Sequence, residues 1–285
     1  MNCLRISELE SLAASLVKGA TMELHLTPKP GLVDLADSGS HPDLTVPIME
    51  QSICHVSDYL DEIVRSLAKD EPFECQKNLG IKAEQRLHEK LGTNTHKGFI
   101  FLGGMLLIAH CKAASLDEDA IRMTLSSLAD AFFKSSEDKS TNGQQARKKY
   151  NAGGIVHEAI KGFPSLFEQA LPAYRTAVKQ HRESSDASFA MLSRLMQTVD
   201  DTTTLHRAGS MGLSRLKRDG RMLEHYIANG DDYLAYLREL NDTYRRLNLT
   251  MGGVADMLGL AFGYLIASGE ITENKSFSPI EKILL

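Results

Sequence analysis

The 285-residue sequence lacks tryptophan and contains four cysteines, and its apolar runs are short. The cysteines have no paired spacing of the kind that zinc sites and redox pairs use. They are Cys3, Cys54, Cys75 and Cys111. Scattered thiols favour a reduced, cytoplasmic protein. The most apolar runs, residues 99–109 and 254–267, are shorter than the roughly 20 residues that a membrane-spanning helix needs, so we expect no membrane association.

Positive charge is also scarce, since 32 lysines and arginines are outnumbered by 37 aspartates and glutamates, for a formal net charge of −5. A mildly acidic chain argues against non-specific binding to nucleic acid. The glycine-rich phosphate loop and the dinucleotide fingerprint are both absent from the sequence. No histidine is followed directly by aspartate, so the helical phosphohydrolases that use this dipeptide find no support.

Alternating strand patterns are absent, whereas helical periodicity recurs along the chain. The capping boxes Ser7-Glu8-Leu9-Glu10 and Ser115-Leu116-Asp117-Glu118 predict helices that run to about His25 and to about Lys134. Further helices are predicted from Pro47, over Gly80–Leu91, over Ser188–Val199 and from Gly252. We therefore expect an all-α fold, in which residues 1–285 form a single large helical domain with polar, glycine-containing loops converging on one site.

The most informative stretch is a polar segment, residues 92–98, which leads into the apolar run 99–109. Asn94 and Thr95 have side chains suited to capping the first helical turn. A helix that opens with His96 and Lys97 beside its own free N–H groups is suited to binding an anion. The alternative is an ordinary core helix with its lysine in solvent. The apolar run itself predicts a helix buried on every side.

Two segments lack helical character. Thr27–Asp34 contains two prolines and a glycine, which prevent helix continuation and predict an ordered turn. Residues 135–151 are polar and have no apolar period, so they predict a mobile lid between the site segments. A third feature, Gly259 and Gly263 at four-residue spacing, predicts close packing between helices.

Five polar, glycine-containing segments lie against apolar helices and predict one composite site. They are residues 29–34 with His41 and Asp43, Glu84 leading to 94–97, 154–158, 201–207, and 252–256. Taken alone, each acid is more often a surface group or a helix cap. Because magnesium prefers oxygen ligands, we assign four carboxylates to Mg²⁺: Asp34, Asp43, Glu84 and Asp256. Because phosphate oxygens pair with cations, Lys29, His96, Lys97 and Arg207 could hold a phosphate group. The residues that we assign to a nucleotide are Lys29, His41, Asn94, Thr95, Lys97, Arg207, Gly252 and Gly253.

The ordered set of motifs resembles the triphosphoribosyl-dephospho-CoA synthase family over residues 20–268. Its most specific pieces are Thr27-Pro-Lys-Pro-Gly-Leu-Val-Asp34 and Asn94-Thr-His-Lys-Gly98. The remaining pieces are Gly39-Ser-His41 with Asp43, Gly80-Ile-Lys-Ala-Glu84, Glu158-Ala159 with Gly162-Phe-Pro164, Leu171-Pro172, Asp201-Thr202 with Arg207, and Gly252-Gly253 with Ala255-Asp256.

This resemblance implies an all-α enzyme that joins ATP to 3′-dephospho-CoA. The 2′-hydroxyl of dephospho-CoA attacks C1′ of the ATP ribose, adenine leaves, and the triphosphate stays attached. The product is the precursor of the prosthetic group on the acyl carrier protein of citrate lyase or malonate decarboxylase. Such chemistry needs a carboxylate near C1′ and a general base. We assign these roles to Glu158 and Asp201 without deciding which is which, and we include His96 as a donor to the leaving adenine or a phosphate contact.

The chain departs from the family pattern inside three of the five segments. The family's usual Gly-Ala-Arg-Gly-Glu-Ala is here Gly154-Ile-Val-His-Glu-Ala159, so that Val156 and His157 replace an arginine and a glycine. Thr203 replaces an asparagine, and Met251 replaces a proline. A paralogue with a different acceptor, an ATP-dependent phosphoryl transferase or hydrolase, and an inactive nucleotide-binding protein are the alternatives.

Overall fold

Helices make up the regular secondary structure of the computed structural model, which describes residues 3–93, 95–113, 115–135, 153–180 and 182–272. Within these ranges there is no β-strand, so the all-α prediction is confirmed. The helices are α1 (Cys3–His25), α2 (Val46–Ala68), α3 (Phe73–Leu91), α4 (Lys97–Lys112), α5 (Glu118–Ser135), α6 (Gly154–Ile160), α7 (Leu171–Lys179), α8 (Ser184–Thr198), α9 (Thr202–Asn229), α10 (Tyr233–Arg246) and α11 (Gly252–Ala267). A π-helical segment, Ser165–Ala170, runs directly into α7.

Helices α1 and α11 cross with their backbones in contact. A Cβ atom added to Gly19 of α1 would lie 2.3 Å from the carbonyl oxygen of Gly259 and 2.3 Å from the amide nitrogen of Gly263. Only glycines allow two helix backbones to approach this closely. The close packing that Gly259 and Gly263 predict is therefore confirmed, and Gly19 is the partner that the sequence did not reveal.

Helix α4 lies inside the molecule, against α1, α2, α5 and α11. Every residue from Phe99 to Ala109 is buried except the half-exposed Phe101, as expected for a helix that is apolar on all sides. The N-cap prediction was wrong, because the N-cap position is occupied by His96 with no side-chain capping bond. Thr95 is buried, and its hydroxyl instead bonds the hydroxyl of Ser52 at 2.6 Å. Because the Thr95 hydroxyl is bonded to Ser52 of α2, it does not cap the first turn of α4.

Several helix boundaries differ from those the sequence predicts. Helix α3 starts at Phe73 rather than Gly80, because Phe73 and Leu79 pack against the core. Helix α8 starts at Ser184 rather than Ser188. Helix α5 is capped by Asp117, whose carboxylate accepts the Ala120 amide at 2.9 Å.

The connection between α1 and α2 is an ordered turn, as predicted. The Gly31 amide donates to the Asn241 side chain of α10 at 2.9 Å, and the Ser40 amide donates back to the Gly31 carbonyl at 3.3 Å. Gly31 has φ 71°, and a Cβ atom there would lie 2.3 Å from the Leu249 carbonyl oxygen. The loop is thereby held against the chain that follows α10.

Two predictions fall on parts of the chain that the structure does not describe. Residues 136–152, nearly all of the predicted lid, lie outside the described residues, and so does Asn94. The lid therefore stays a prediction. Within the described ranges, none of the helices is both long enough and apolar enough to cross a membrane.

Candidate active site

Asp201 joins the N-termini of α9 and α11. One carboxylate oxygen accepts the Thr204 amide of α9 at 2.8 Å, and the other accepts the Val254 amide of α11 at 3.0 Å. The side chain is fully buried, and burial raises its pKa while these backbone bonds oppose the rise. Both oxygens of Asp201 are therefore occupied by the protein backbone, which makes it a double helix cap.

A second carboxylate, Asp256, meets the N-terminus of α4. It accepts the Phe99 backbone N–H, and a Cβ atom on Gly98 would lie 2.1 Å from its Oδ2 atom. Burial raises the pKa of Asp256 to about 8, and the nearby negative charges of Glu23 and Asp201 add to the effect. The Gly98 of the predicted motif is thus required by the approach of this carboxyl group.

Lys29, predicted to hold phosphate, is wholly buried. Its ammonium lies 3.0 Å from the Glu23 carboxylate and also donates to the Glu23 carbonyl oxygen. Burial raises the pKa of Glu23, and the charge of Lys29 opposes that rise. The Lys29 amide donates to Asp34 at 2.7 Å. The lysine charge is therefore balanced by Glu23 inside the protein.

His96 occupies the N-cap of α4 with a left-handed backbone, φ 47°, which is uncommon for a residue other than glycine. Its Nδ1 atom lies 2.7 Å from the Ser52 hydroxyl, and its buried Nε2 atom has no hydrogen-bond partner among the described residues. Burial, followed by the charge of Lys29, lowers the pKa of His96 to about 4. The imidazole is therefore neutral near pH 7 and offers a hydrogen bond rather than a charge.

Lys97, at the start of α4, forms an ion pair with Glu84 of α3, with 2.6 Å between the ammonium and the carboxylate. About half of the Lys97 side chain is exposed, so it remains accessible to a ligand. Asp43 accepts a hydrogen bond from the Thr93 hydroxyl at 3.0 Å. The structure therefore brings the 39–43 loop, the end of α3 and the start of α4 to the same place.

His41 and Arg207, both assigned to the nucleotide, contact each other. The Arg207 guanidinium donates to the Ser40 carbonyl at 2.8 Å and contacts Nδ1 of His41 at 3.3 Å. Nε2 of His41 lies 2.7 Å from the Thr250 hydroxyl. Burial, followed by the positive charge of Arg207, lowers the pKa of His41 to about 4. A neutral His41 that accepts from Arg207 through Nδ1 carries its proton on Nε2 and donates it to Thr250.

Glu158, on α6, lies in a separate cleft of about 320 Å³. Its carboxylate accepts hydrogen bonds from the Ser165 hydroxyl and, at 3.1 Å, from the Ser165 amide. The turn at Gly162 and Phe163, both with positive φ, brings Ser165 back to it. Burial raises the pKa of Glu158, and the bonds from Ser165 partly offset this rise.

Further polar groups form the remaining wall of this cleft. Asp200 and Lys217 line it as an ion pair, with 2.6 Å between the two charged groups. His157, which departs from the family pattern, lines it as well. Because Asp200 directly precedes Asp201, this cleft adjoins the joined N-termini of α9 and α11. Of the two predicted catalytic carboxylates, Glu158 lines a cleft, whereas Asp201 is fully buried.

The four carboxylates predicted for Mg²⁺ do not form one group. The oxygens of Asp34 accept backbone amides of its own turn, from Lys29, Ala36 and Asp37. Glu84 is paired with Lys97. Asp43 accepts a hydrogen bond from the Thr93 hydroxyl, and Asp256 accepts one from the Phe99 amide. Across the described ranges, no three His, Cys, Asp or Glu side chains gather as a metal site. These residues do not fit a metal held by protein ligands alone.

A family model described as ATP:dephospho-CoA triphosphoribosyl transferase matches residues 9–275. This chain belongs to that family. Its relatives include proteins named probable 2-(5''-triphosphoribosyl)-3'-dephosphocoenzyme-A synthase. That of Pseudomonas putida is 30% identical over 89% of this chain and 93% of the relative. That of Azotobacter vinelandii is 33% identical over 87% and 88%, respectively.

A third relative of the same name, from Streptococcus equi subsp. zooepidemicus, is 30% identical over 90% of this chain and 96% of its own length. No solved structure matches the chain significantly. Membership of the triphosphoribosyl transferase family makes the chain a transferase and confirms the resemblance seen in its motifs. The structure places two of the residues that depart from the family pattern. Met251 is fully buried. Thr203 lies beside Gly252, where an added Cβ atom would be 3.3 Å from the Thr203 hydroxyl.

Proposed function

We propose that this chain transfers the 5′-triphosphoribosyl group of ATP to the 2′-hydroxyl of 3′-dephospho-CoA. The bond between C1′ and the adenine nitrogen breaks, and the electron pair leaves with adenine. The bond between the 2′-oxygen and C1′ forms, and the proton of the hydroxyl is removed. No phosphoanhydride bond changes. Membership of the family over residues 9–275 supports this assignment.

We further propose that the product is the precursor of the prosthetic group of an acyl carrier protein in citrate lyase or malonate decarboxylase. A cytoplasmic location is part of the same proposal, because both substrates are cytoplasmic metabolites. It is consistent with the absence of a disulfide among the described cysteines.

Glu158 is the group to which we assign the general base. A base works best when its pKa lies near the working pH, and burial moves the pKa of Glu158 upward from that of an exposed glutamate. Ser165 fixes the carboxylate through two hydrogen bonds, so the group is oriented before a substrate arrives. Its position in a cleft is the observation that carries the assignment.

Asp201 and His96 take different parts in this proposal. Asp201 holds two helix N-termini in place and serves the site by positioning it, because its carboxylate is fully buried between them. His96 is neutral, and its unpartnered Nε2 would donate a hydrogen bond to a substrate rather than a full proton. Lys97, exposed at the start of α4, remains a candidate phosphate contact beside it.

Magnesium enters the proposal with the nucleotide. Mg²⁺ keeps several water ligands and is often bound by substrate phosphates with one or two carboxylates. It would neutralise charge on the triphosphate when bound. We assign it no fixed protein cage, because the predicted carboxylates lie apart in the structure.

The reaction can be tested by following what leaves ATP. The protein is incubated with ATP, magnesium and dephospho-CoA, and the mixture is resolved by chromatography and mass spectrometry. Adenine is expected in step with a heavier CoA derivative that carries a triphosphate, and only when dephospho-CoA is present. Release of phosphate or ADP would indicate a phosphoryl transferase or hydrolase. Stabilisation by ATP without turnover would indicate a nucleotide-binding protein.

The role of Glu158 can be tested by Glu158→Gln, which keeps its shape and removes its basic group. We expect kcat to fall by about 10²–10⁴, while the melting temperature stays close to that of the parent. Glu89→Gln, at an exposed position of α3, is the matched control and should leave kcat unchanged. A normal kcat in the Glu158→Gln enzyme would show that Glu158 is not the general base. The proposal for the overall reaction would be unaffected.

A further inference from the structure

A second, larger cleft of about 630 Å³ lies between the 38–42 loop and the C-terminal end of α10. Its volume falls within the range of roughly 300–1,000 Å³ that ligand pockets occupy. The loop forms one wall, and Asp242, Arg245 and Arg246 belong to the other. Neither arginine of α10 was singled out by the sequence, because two arginines at a helix C-terminus are ordinary partners of the helix dipole.

Positive charge predominates around this cleft. Arg246 and Arg207 pair with no carboxylate among the described residues; Arg246 contacts the Thr243 hydroxyl, and Arg207 contacts the loop. Arg245 reaches Asp37 at 3.7 Å, which is longer than a direct hydrogen bond. Asp242 is the acidic residue of the lining. Three guanidinium groups therefore surround the loop, and Asp37 and Asp242 offset part of their charge.

The loop itself is fixed before any ligand binds. Gly39 has φ 53°, and a Cβ atom there would lie 2.5 Å from the backbone of Gly31 and Leu32. Asp37 accepts the Gly39 amide at 2.6 Å and the Asn241 side chain of α10 at 2.8 Å. Gly39 and Asp37 thus fix the loop next to α10, and the cleft lies between the loop and this helix. Because the loop is already ordered, a ligand loses little affinity to ordering it on binding.

Ser40, in the middle of the loop wall, carries the second observation. It is 8% exposed, and its buried hydroxyl has no hydrogen-bond partner among the described residues. Buried hydroxyls are nearly always bonded, so such an exception calls for a partner. A ligand oxygen seated against the loop would accept this hydrogen bond after a rotation of the side chain.

We propose that this cleft binds a polyphosphate chain, held by Arg245 and Arg246 from α10, with Arg207 behind the loop and the Ser40 hydroxyl within it. Guanidinium groups match the paired oxygens of phosphate in geometry and charge. Lys29 is buried against Glu23, so these arginines replace it as the phosphate-binding cations. The inference rests on the proposed function, since ATP and dephospho-CoA both carry phosphates joined by anhydride bonds.

The test uses the full chain and inorganic tripolyphosphate as the probe, with binding measured by calorimetry at fixed salt. Arg245→Ala combined with Arg246→Ala should weaken binding by about 100-fold, about tenfold for each guanidinium group removed. Lysine at both positions should restore part of the affinity. The matched control is Arg221→Ala, which removes one charge from an exposed position of α9 outside the cleft and should leave affinity unchanged.

Arg246→Ala alone keeps the proposal testable if the double variant unfolds, since Arg246 is exposed and has no carboxylate partner among the described residues. Unchanged affinity in a variant with a normal melting transition would overturn the proposal. So would failure of the parent protein to bind tripolyphosphate at all.

Competition then identifies which substrate supplies the phosphates. Displacement of tripolyphosphate by ATP but not by dephospho-CoA would assign the cleft to the triphosphate of the donor, and the reverse would assign it to the diphosphate of the acceptor. Displacement by neither would overturn the inference.

If no adenine is formed but arginine-dependent binding is found, the proposed function fails and the cleft stands. If adenine is formed but the double variant binds normally, the cleft fails instead.

Discussion

The ammonium of Lys29 lies 3.0 Å from the carboxylate of Glu23, and the two side chains are 0% and 6% exposed. The lysine belongs to the Pro-Lys-Pro-Gly motif, where a surface cation for phosphate is the natural expectation. In the structure its charge instead balances a buried acid at the end of α1. Removing one member of a buried pair leaves the other charged and without compensation.

Lys29→Met, which keeps most of the volume and removes the charge, should therefore lower the free energy of unfolding by about 3–5 kcal/mol. Urea denaturation monitored by circular dichroism measures this loss. Lys82→Met, at an exposed position of α3, is the control and should change stability by no more than about 0.5 kcal/mol. A Lys29→Met protein that is fully stable but no longer binds ATP would reassign the lysine to the ligand.

Asp201 should matter more to stability than an ordinary helix cap. Asp201→Ala leaves buried amides of α9 and α11 without their acceptor, so we expect a loss of about 2–4 kcal/mol. Asp232→Ala removes one exposed cap, the bond to the Ala235 amide of α10, and should cost about 1 kcal/mol. Both losses can be read from chemical denaturation, and equal losses would contradict the double role of Asp201.

The buried carboxyl of Asp256 predicts a pH dependence of stability. Its pKa is raised to about 8 in the folded protein, above the value of about 4 expected when unfolded. The folded state therefore binds the proton more tightly, and stability falls as pH rises from about 4 to about 8, then levels off. Asp256→Asn should remove part of this slope. Urea unfolding across pH 5–8.5 measures it.

Asp61→Asn is the control for that experiment, because Asp61 lies exposed on α2. The control should keep the slope of the parent protein. Glu23, Asp201 and Glu158, whose pKa values are also raised, contribute slopes of the same sign. The difference between Asp256→Asn and the parent therefore measures Asp256 together with its electrostatic coupling to Glu23 and Asp201, and parallel curves would show that Asp256 titrates normally.

Two glycine substitutions should have opposite effects. Gly19→Ala places a methyl group 2.3 Å from the backbone of Gly259, so α1 and α11 must separate, at a cost of about 1–3 kcal/mol or more. Gly80→Ala meets the Tyr59 hydroxyl at 3.6 Å, an ordinary contact inside α3, and should stabilise the protein by about 0.5–1 kcal/mol. Thermal unfolding of the two variants gives the signs, and a stable Gly19→Ala protein would contradict the close crossing.

Much of the fold could be predicted from local patterns. The run 99–109 is apolar on every side, so it could only be a buried helix, and Gly252 opens the last helix as expected. The paired prolines and Gly31 end α1 at His25, where the sequence placed its end. These features depend on residues close together in the chain, whose periodicity and backbone preferences act before any tertiary contact forms.

The candidate site could be predicted in part. His41, Arg207, Glu84 and Lys97 were all assigned to one composite site from motifs, and the structure shows that His41 contacts Arg207 and that Glu84 pairs with Lys97. The partners of Lys29 and Asp201 were not foreseen. A buried lysine and a surface lysine are the same residue in a sequence, and burial alone makes them chemically different.

The sequence by itself determined the helices, the family and many of the polar residues that the site draws upon. Tertiary structure decided which of those residues keep a free charge. Periodicity shows which face of a helix is buried but not what lies against it, so the pairing of Lys29 with Glu23 and the cleft beside Arg245 and Arg246 arise only when distant segments pack. Charge is a property of the residue, whereas its availability depends on the neighbours that folding supplies.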